Sequence, residues 1–211
     1  MSEKHNLEKR DYTLIIDKSG SMSDPDNGLE GSKSRWDVMQ ESTLALARKC
    51  EKYDPDGITI YIFSNKFKRF ENVTASKVKQ IFKENEPSGR TNLASVLQDA
   101  LQNYFQRKAK GQAKANGETI LVVTDGEADE QFEVIKVIVE ATKQIDRPEE
   151  LAISFIQIGN DQSATRFLKF LDDSLEEKAE AKYDIVDTVT IEDIEEGNLT
   201  FEQVLLNAII D

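Results

Sequence analysis

Along this chain, short apolar runs alternate with longer stretches whose apolar residues recur every three or four positions. Runs of the first kind read as buried strands and the second kind as amphipathic helices. The strand-like runs are Tyr12 to Asp17, Ile58 to Phe63, Thr119 to Thr124, Leu151 to Ile158 and Ile185 to Val189. A more polar run, Lys66 to Val73, alternates Phe67 with charged neighbours and predicts an edge strand guarded by Lys66, Lys68 and Arg69. A helix from about Ser34 places Trp36, Met39, Thr43, Leu46, Ala47 and Cys50 on one face. A short helix near Ser76 to Lys83 carries Val78, Ile81 and Phe82, and one from near Thr91 carries Leu93, Val96, Leu97, Ala100, Leu101 and Tyr104. Further helices carry Phe132, Ile135 and Val139, then Phe167, Leu168, Leu171 and Leu175, and a last one covers Phe201 to Ile210. Strands that are apolar throughout are covered on both faces. The pattern therefore predicts an α/β fold: a Rossmann-like, doubly wound, mostly parallel six-stranded sheet with helices on both faces and one antiparallel edge strand.

Two of these strands stop at an aspartate. Leu14-Ile15-Ile16 runs into Asp17-Lys18-Ser19-Gly20-Ser21, and Ile120-Leu121-Val122-Val123-Thr124 runs into Asp125-Gly126. An apolar run does not readily bury a carboxylate, so each aspartate belongs at its strand's end. Asp17, Ser19 and Ser21 can point three oxygens at one spot, and an all-oxygen set suits a hard divalent cation. In an open parallel sheet, ligands bind beyond the carboxyl ends of strands where the winding reverses. Two carboxylates about 5 Å apart at neighbouring strand ends repel by about 3 kcal/mol at an effective dielectric of about 20, and a cation between them offsets that. Thr91 opens a helix on the same rim after Ser88-Gly89-Arg90. Plainer readings stand beside these: the serine turn as a helix cap, Asp125-Gly126 as a strand-end turn, and Thr91 as a helix N-cap.

Composition narrows the classes. The 211 residues suit one sizeable core, and a net charge of −13 opposes nucleic acid and anionic membranes while permitting cations and basic partners. The single cysteine, Cys50, allows no internal disulfide, and its place on an apolar helical face reads as a small buried hydrophobe. The polar start, residues 1–10, reads as a solvated arm without a signal-peptide core; it holds the one histidine, His5. Residues 11–211 then form one domain. No apolar run approaches the roughly 18 residues of a membrane span, so cytoplasmic residence is expected. Residues 172–196, rich in Asp and Glu, read as a solvated face.

Taken together, Asp17-Lys18-Ser19-Gly20-Ser21, Thr91 within Ser88-Gly89-Arg90-Thr91-Asn92, and Asp125 within Val123-Thr124-Asp125-Gly126 resemble the von Willebrand factor type A domain with its metal-ion-dependent adhesion site. The three pieces stand in the family's order, and the resemblance covers nearly the whole chain from about residue 11. The resemblance implies a protein-binding module without catalysis. Ser19 and Ser21 would hold the metal directly, Thr91 directly when a ligand is engaged, and Asp17 and Asp125 mostly through water. Mg2+ is the implied ion, with Mn2+ or Ca2+ as alternatives, and the partner is another protein that supplies a Glu or Asp. Lacking disulfide, signal and span, the chain looks like the intracellular, bacterial-type members. Asp24, Asp26, Glu127 and Asp129 are rim charges or plain loop residues, and Arg90 is a candidate for holding the partner's carboxylate.

Two other readings compete. One is a metal-dependent phosphohydrolase with Asp17 as nucleophile and Asp125 on Mg2+. Against it, position 19 is Ser, where hydrolases of this layout usually carry a second Asp. The other is a structural domain that uses no metal.

Overall fold

Side chains alternate between the two faces of a strand, so a strand buried on both sides feeds two separate cores. The computed structural model, which describes residues 7–26, 31–126 and 128–210, shows this arrangement. Its six strands are β1 (Asp11–Asp17), β2 (Ile58–Phe63), β3 (Phe67–Val73), β4 (Glu118–Thr124), β5 (Leu151–Gln157) and β6 (Val186–Thr190). They form one sheet in the order β3-β2-β1-β4-β5-β6. Every pairing is parallel except β2–β3, so β3 is the antiparallel edge. In β1, Tyr12, Leu14 and Ile16 join one core with Ile60, Ile62, Leu121 and Val123, while Ile15 joins the other with Tyr61, Phe63, Ile120 and Val122.

The helices are α1 (Arg35–Tyr53), α2 (Ala75–Lys83), α3 (Leu93–Ala109), α4 (Gln131–Thr142), α5 (Gln162–Asp173), α6 (Leu175–Ala179), α7 (Ile191–Glu195) and α8 (Phe201–Ile210). The first core takes its cover from α1, α2 and α8, the second from α3, α4 and α5. Helix α1 starts at a capping box: the Ser34 hydroxyl accepts from the Asp37 N–H and the Asp37 carboxylate accepts from the Ser34 N–H. Its buried face includes Trp36, Met39, Thr43, Leu46, Ala47 and Cys50, as the spacing predicts. Trp36 also meets Phe82 of α2 in a tilted ring contact, 4.8 Å between centroids.

Several expectations need correction. The arm expected to be solvated over residues 1–10 is not so at its end, where Leu7 and Arg10 are buried; His5 lies outside the described residues. Helix α4 turns Val134, Ile138, Val139 and Ala141 inward and leaves Phe132 74% exposed. Leu175 is buried but begins α6 instead of ending α5. The acidic stretch 172–196 is no uniform solvated face, since it contains β6 and buried Ile185, Val186, Val189 and Ile191. None of the described helices is long and apolar enough to cross a membrane.

Cys50 is fully buried, and burial raises its thiol pKa above the ordinary range. Its thiol should therefore stay unreactive toward a disulfide reagent in the native protein and react with full stoichiometry in denaturant, as a colorimetric thiol assay would show.

Candidate metal centre

The winding reverses between β1 and β4. The chain leaves β1 toward β2 and β3 on one side, and leaves β4 toward β5 and β6 on the other. The crevice of such a sheet lies beyond the carboxyl ends of these two strands. Asp17 is the last residue of β1 and Asp125 follows the last residue of β4. Both side chains are buried, at 0% and 2% exposure.

Three loops meet there, joined by backbone hydrogen bonds. The loop after β1 turns through a short 3-10 segment, Gly20–Ser23. Lys18 N–H donates to Phe63 O at 2.8 Å, Ser88 N–H to Lys18 O at 2.7 Å, and Gly20 N–H to Gly89 O at 3.0 Å. These bonds set the serine turn against the loop that leads into α3. Thr91 is buried in that loop; its N–H donates to the Asp129 carboxylate at 2.9 Å, and Asp129 N–H donates back to Thr91 O at 3.2 Å. Thr91 is thereby pinned to the loop that follows Asp125. Helix α3 is capped by Asn92, whose side chain accepts from Ser95 N–H, so the N-cap role anticipated for Thr91 falls to its neighbour. Gly126 makes the turn after Asp125 at φ +90°, and a β-carbon there would lie 2.8 Å from the Ala164 Cβ of α5.

Within this frame, Asp17 Oδ1 accepts from Ser19 N–H at 2.7 Å and Oδ2 accepts from the Thr124 hydroxyl at 2.7 Å. The Ser19 and Ser21 hydroxyls are 3.1 Å apart. Asp125 Oδ2 accepts from Arg35 Nη1 at 3.0 Å, while its Oδ1 is buried with no hydrogen-bond partner among the described residues. Burial pushes the Asp17 carboxyl up to about 7, and the negative charge of Asp125 adds to the rise; the bonds from Thr124 and Ser19 pull it back. The Asp125 charge thus opposes ionisation of Asp17, and a bound cation would offset that opposition.

The structure thus brings Asp17, Ser19 and Ser21 together directly, Asp125 beside them through Thr124, and Thr91 through Asp129. Two polar participants were not singled out from sequence. Thr124 fastens Asp17, and Arg35, from the first turn of α1, pairs with Asp125. The available signal for both was position, since helices begin and strands end on this rim. Arg90 is exposed, and its N–H donates to Asn65 Oδ1 at 2.6 Å. Asp24 is exposed, and Glu127 lies outside the described residues.

The donor set fits a hard cation. It offers two buried carboxylates, one with an unpartnered oxygen, and the adjacent Ser19 and Ser21 hydroxyls, with Thr91 buried in the neighbouring loop. No group of three or more His, Cys, Asp or Glu side chains with metal-binding geometry occurs among the described residues, so an ion held here would need the hydroxyls as well as the two carboxylates. The phosphohydrolase reading gains nothing from this geometry. Among the described residues no second carboxylate joins Asp17 as an acid/base: its oxygens accept from the Ser19 N–H and the Thr124 hydroxyl, and position 19 is Ser.

The model of the von Willebrand factor type A domain matches residues 12–127, more than half of the chain. The chain belongs to the von Willebrand factor type A family. Similar solved structures agree on the fold. The PilB minor pilin from Streptococcus sanguinis superposes at a TM-score of 0.60 with 14% identity, over 95% of this chain and 60% of that one. Its D319A mutant gives 0.61 at 14% identity, over 94% and 59%. Manganese-loaded TRAP protein of Plasmodium vivax gives 0.59 at 16% identity, over 94% and 74%. The chain thus spans about three fifths of the pilin's length. No curated protein matches it in sequence. Von Willebrand factor type A domains commonly serve as metal-dependent adhesion or protein-interaction modules.

Proposed function

We propose that this von Willebrand factor type A domain is a divalent-metal-dependent protein-binding module that captures a partner's Glu or Asp side chain at a metal-ion-dependent adhesion site. The observation that carries the reading is the crevice at the winding reversal. It holds two buried carboxylates, one with an oxygen left unpartnered, beside the adjacent hydroxyls of Ser19 and Ser21. Ser19 and Ser21 would hold the ion through their hydroxyls, Thr91 would join when a carboxylate is engaged, and Asp17 and Asp125 would act through water. The ion, when bound, supplies a Lewis-acidic position open to an external carboxylate. Asp17 fixes the serine turn through Ser19 N–H and ties it to β4 through Thr124. Asp129 holds Thr91 at the rim. With few anionic groups bonded directly, the ion keeps its attraction for an outside anion. Mg2+ suits such a water-retaining oxygen site, with Mn2+ or Ca2+ as alternatives.

The test is calorimetric titration of Mg2+ and of Mn2+ into metal-stripped protein. A one-site isotherm is expected; no binding of either ion overturns the reading. A parallel assay on a generic phosphate ester with Mg2+ should show no turnover. Sustained turnover abolished by Asp17→Asn would reinstate the hydrolase.

A further inference from the structure

Arg35 carries a positive charge into this crevice, and its position is built, not incidental. Its side chain is only 16% exposed, although it stands in the first turn of α1. The guanidinium lies against the backbone of Gly159, just past β5, where a β-carbon would come within 2.7 Å of Nε and 3.2 Å of Cζ. Gly159 sits at φ +74°, so the same residue both makes the turn and leaves room for the arginine. Arginine commonly meets a carboxylate with two parallel bonds. Here a single bond, Nη1 to Asp125 Oδ2, is made; Nε and Asp125 Oδ1 are both buried without hydrogen-bond partners among the described residues. The arginine therefore offsets the charge of Asp125 without occupying the oxygen that remains open.

We propose that Arg35 sets the charge of the metal site: it weakens the site's hold on the bare cation and strengthens the loaded site's hold on an anionic partner. This rests on the metal-binding reading above. Counted in their ionised forms, Asp17, Asp125 and Arg35 sum to one net negative charge; Asp161, whose carboxylate Arg35 also favours, enters both sides of the comparison alike. A divalent cation turns that into one net positive charge, and an incoming carboxylate brings it to zero. Without the guanidinium, the metal alone neutralises the site, and a carboxylate then leaves it negative. Coulomb interactions at these separations are strong in a crevice shielded from water. Arg35 thus divides affinity between metal and partner in favour of the partner. A metal site of this kind is filled weakly when idle and firmly when engaged.

The experiment compares wild type with Arg35→Gln, Arg35→Met and Arg35→Lys. Free Mn2+ is followed by electron paramagnetic resonance during titration. Acetate is then titrated into Mn2+-loaded protein and followed by water-proton relaxation. Both neutral variants should bind Mn2+ at least about fivefold more tightly than wild type and acetate at least about fivefold more weakly, while Arg35→Lys stays near wild type on both. If wild type binds Mn2+ but folded neutral variants bind it equally or more weakly, the role of Arg35 is overturned and the metal site stands. If wild type takes up no Mn2+, the metal reading falls, and this inference with it. If both neutral variants fail to fold, Arg35 is a structural counter-charge and the proposal fails.

Discussion

Replacing Ser19 and Ser21 together by alanine should remove divalent-cation binding, lowering affinity at least about a hundredfold, because both hydroxyls proposed to touch the ion are deleted. The metal-free variant should keep its melting temperature within a few degrees. The turn that carries the serines is held by its backbone: Ser19 N–H to Asp17, Gly20 N–H to Gly89 O, and buried Met22. Alanine preserves all of these. What the variant loses in the metal-free state is the hydroxyl–hydroxyl contact and the Ser19 hydroxyl's interaction with the Asp17 carboxylate, each about 1 kcal/mol. Asp17→Ala is a poorer probe, since Asp17 also fastens Thr124 and the serine turn, and its loss mixes stability with binding. Two measurements check the prediction. Calorimetry should show a wild-type isotherm that vanishes in the double variant. Thermal melts should show stabilisation by saturating Mg2+ in wild type only; at a hundred times Kd that stabilisation is about 2.7 kcal/mol. If both proteins respond to Mg2+ alike, the serines do not hold the ion; if neither responds, the domain is structural.

Residues that report on their own burial were the readable ones. Apolar strands such as Ile120 to Val123 announce a sheet covered on both sides, and an aspartate at the end of such a strand announces a rim. Asp17 and Asp125 are legible in the sequence for that reason. Their adjacency is a different matter. It depends on β1 pairing with β4, a contact between residues such as Asp17 and Thr124 that lie 107 positions apart; the rule for open sheets suggests it, and the family resemblance makes it specific. Arg35 was hidden for the same reason. An arginine in a first helical turn looks like a surface residue until Gly159, from another strand's exit, gives it a place to lie. Thr91 and Asn92 are adjacent and both suited to capping; Asn92 takes the role, its side chain accepting from the Ser95 N–H, while the Thr91 N–H goes to Asp129. In α4 the sequence Phe132 to Val139 is apolar almost all round, so periodicity alone could not say that Phe132 faces outward.

The largest effect on stability should come from the opposite end of the sheet. Asp11 and Glu118 stand in register at the starts of neighbouring parallel strands β1 and β4. Arg107, in the last turn of α3, donates to both carboxylates, and the Thr13 hydroxyl donates to Glu118 at 2.5 Å. Arg10, itself buried, donates to the Glu118 carbonyl at 3.2 Å and to the Thr119 hydroxyl at 2.6 Å. Glu118 is 1% exposed. Burial pushes its carboxyl up to about 7, against the pull of Arg107 and Thr13. Arg107→Ala leaves this carboxylate buried without its cation, a change that costs about 3–5 kcal/mol at pH 8. Lowering the pH should reduce that cost. Between the ordinary glutamate value of 4.5 and about 7, folded Glu118 holds a proton that the unfolded chain has released. Glu118 therefore lowers the stability of the wild type as pH rises through this window. Without Arg107 the folded carboxyl is pushed higher still, so near pH 5 it is neutral in both proteins and the missing guanidinium matters least. Urea unfolding at pH 8 and pH 5 should show the wild-type-minus-variant difference shrink on acidification. The self-repulsion of a chain with net charge −13 also changes with pH, but it acts on both proteins and largely cancels in the difference. Arg107→Met combined with Glu118→Gln should recover part of the loss at pH 8, because the buried carboxylate is gone; the recovery is incomplete because buried Arg10 loses the negative charge of Glu118 beside it. A cost that stays constant from pH 8 to pH 5 would mean that Arg107 contributes through packing and Asp11, not through the charge of Glu118.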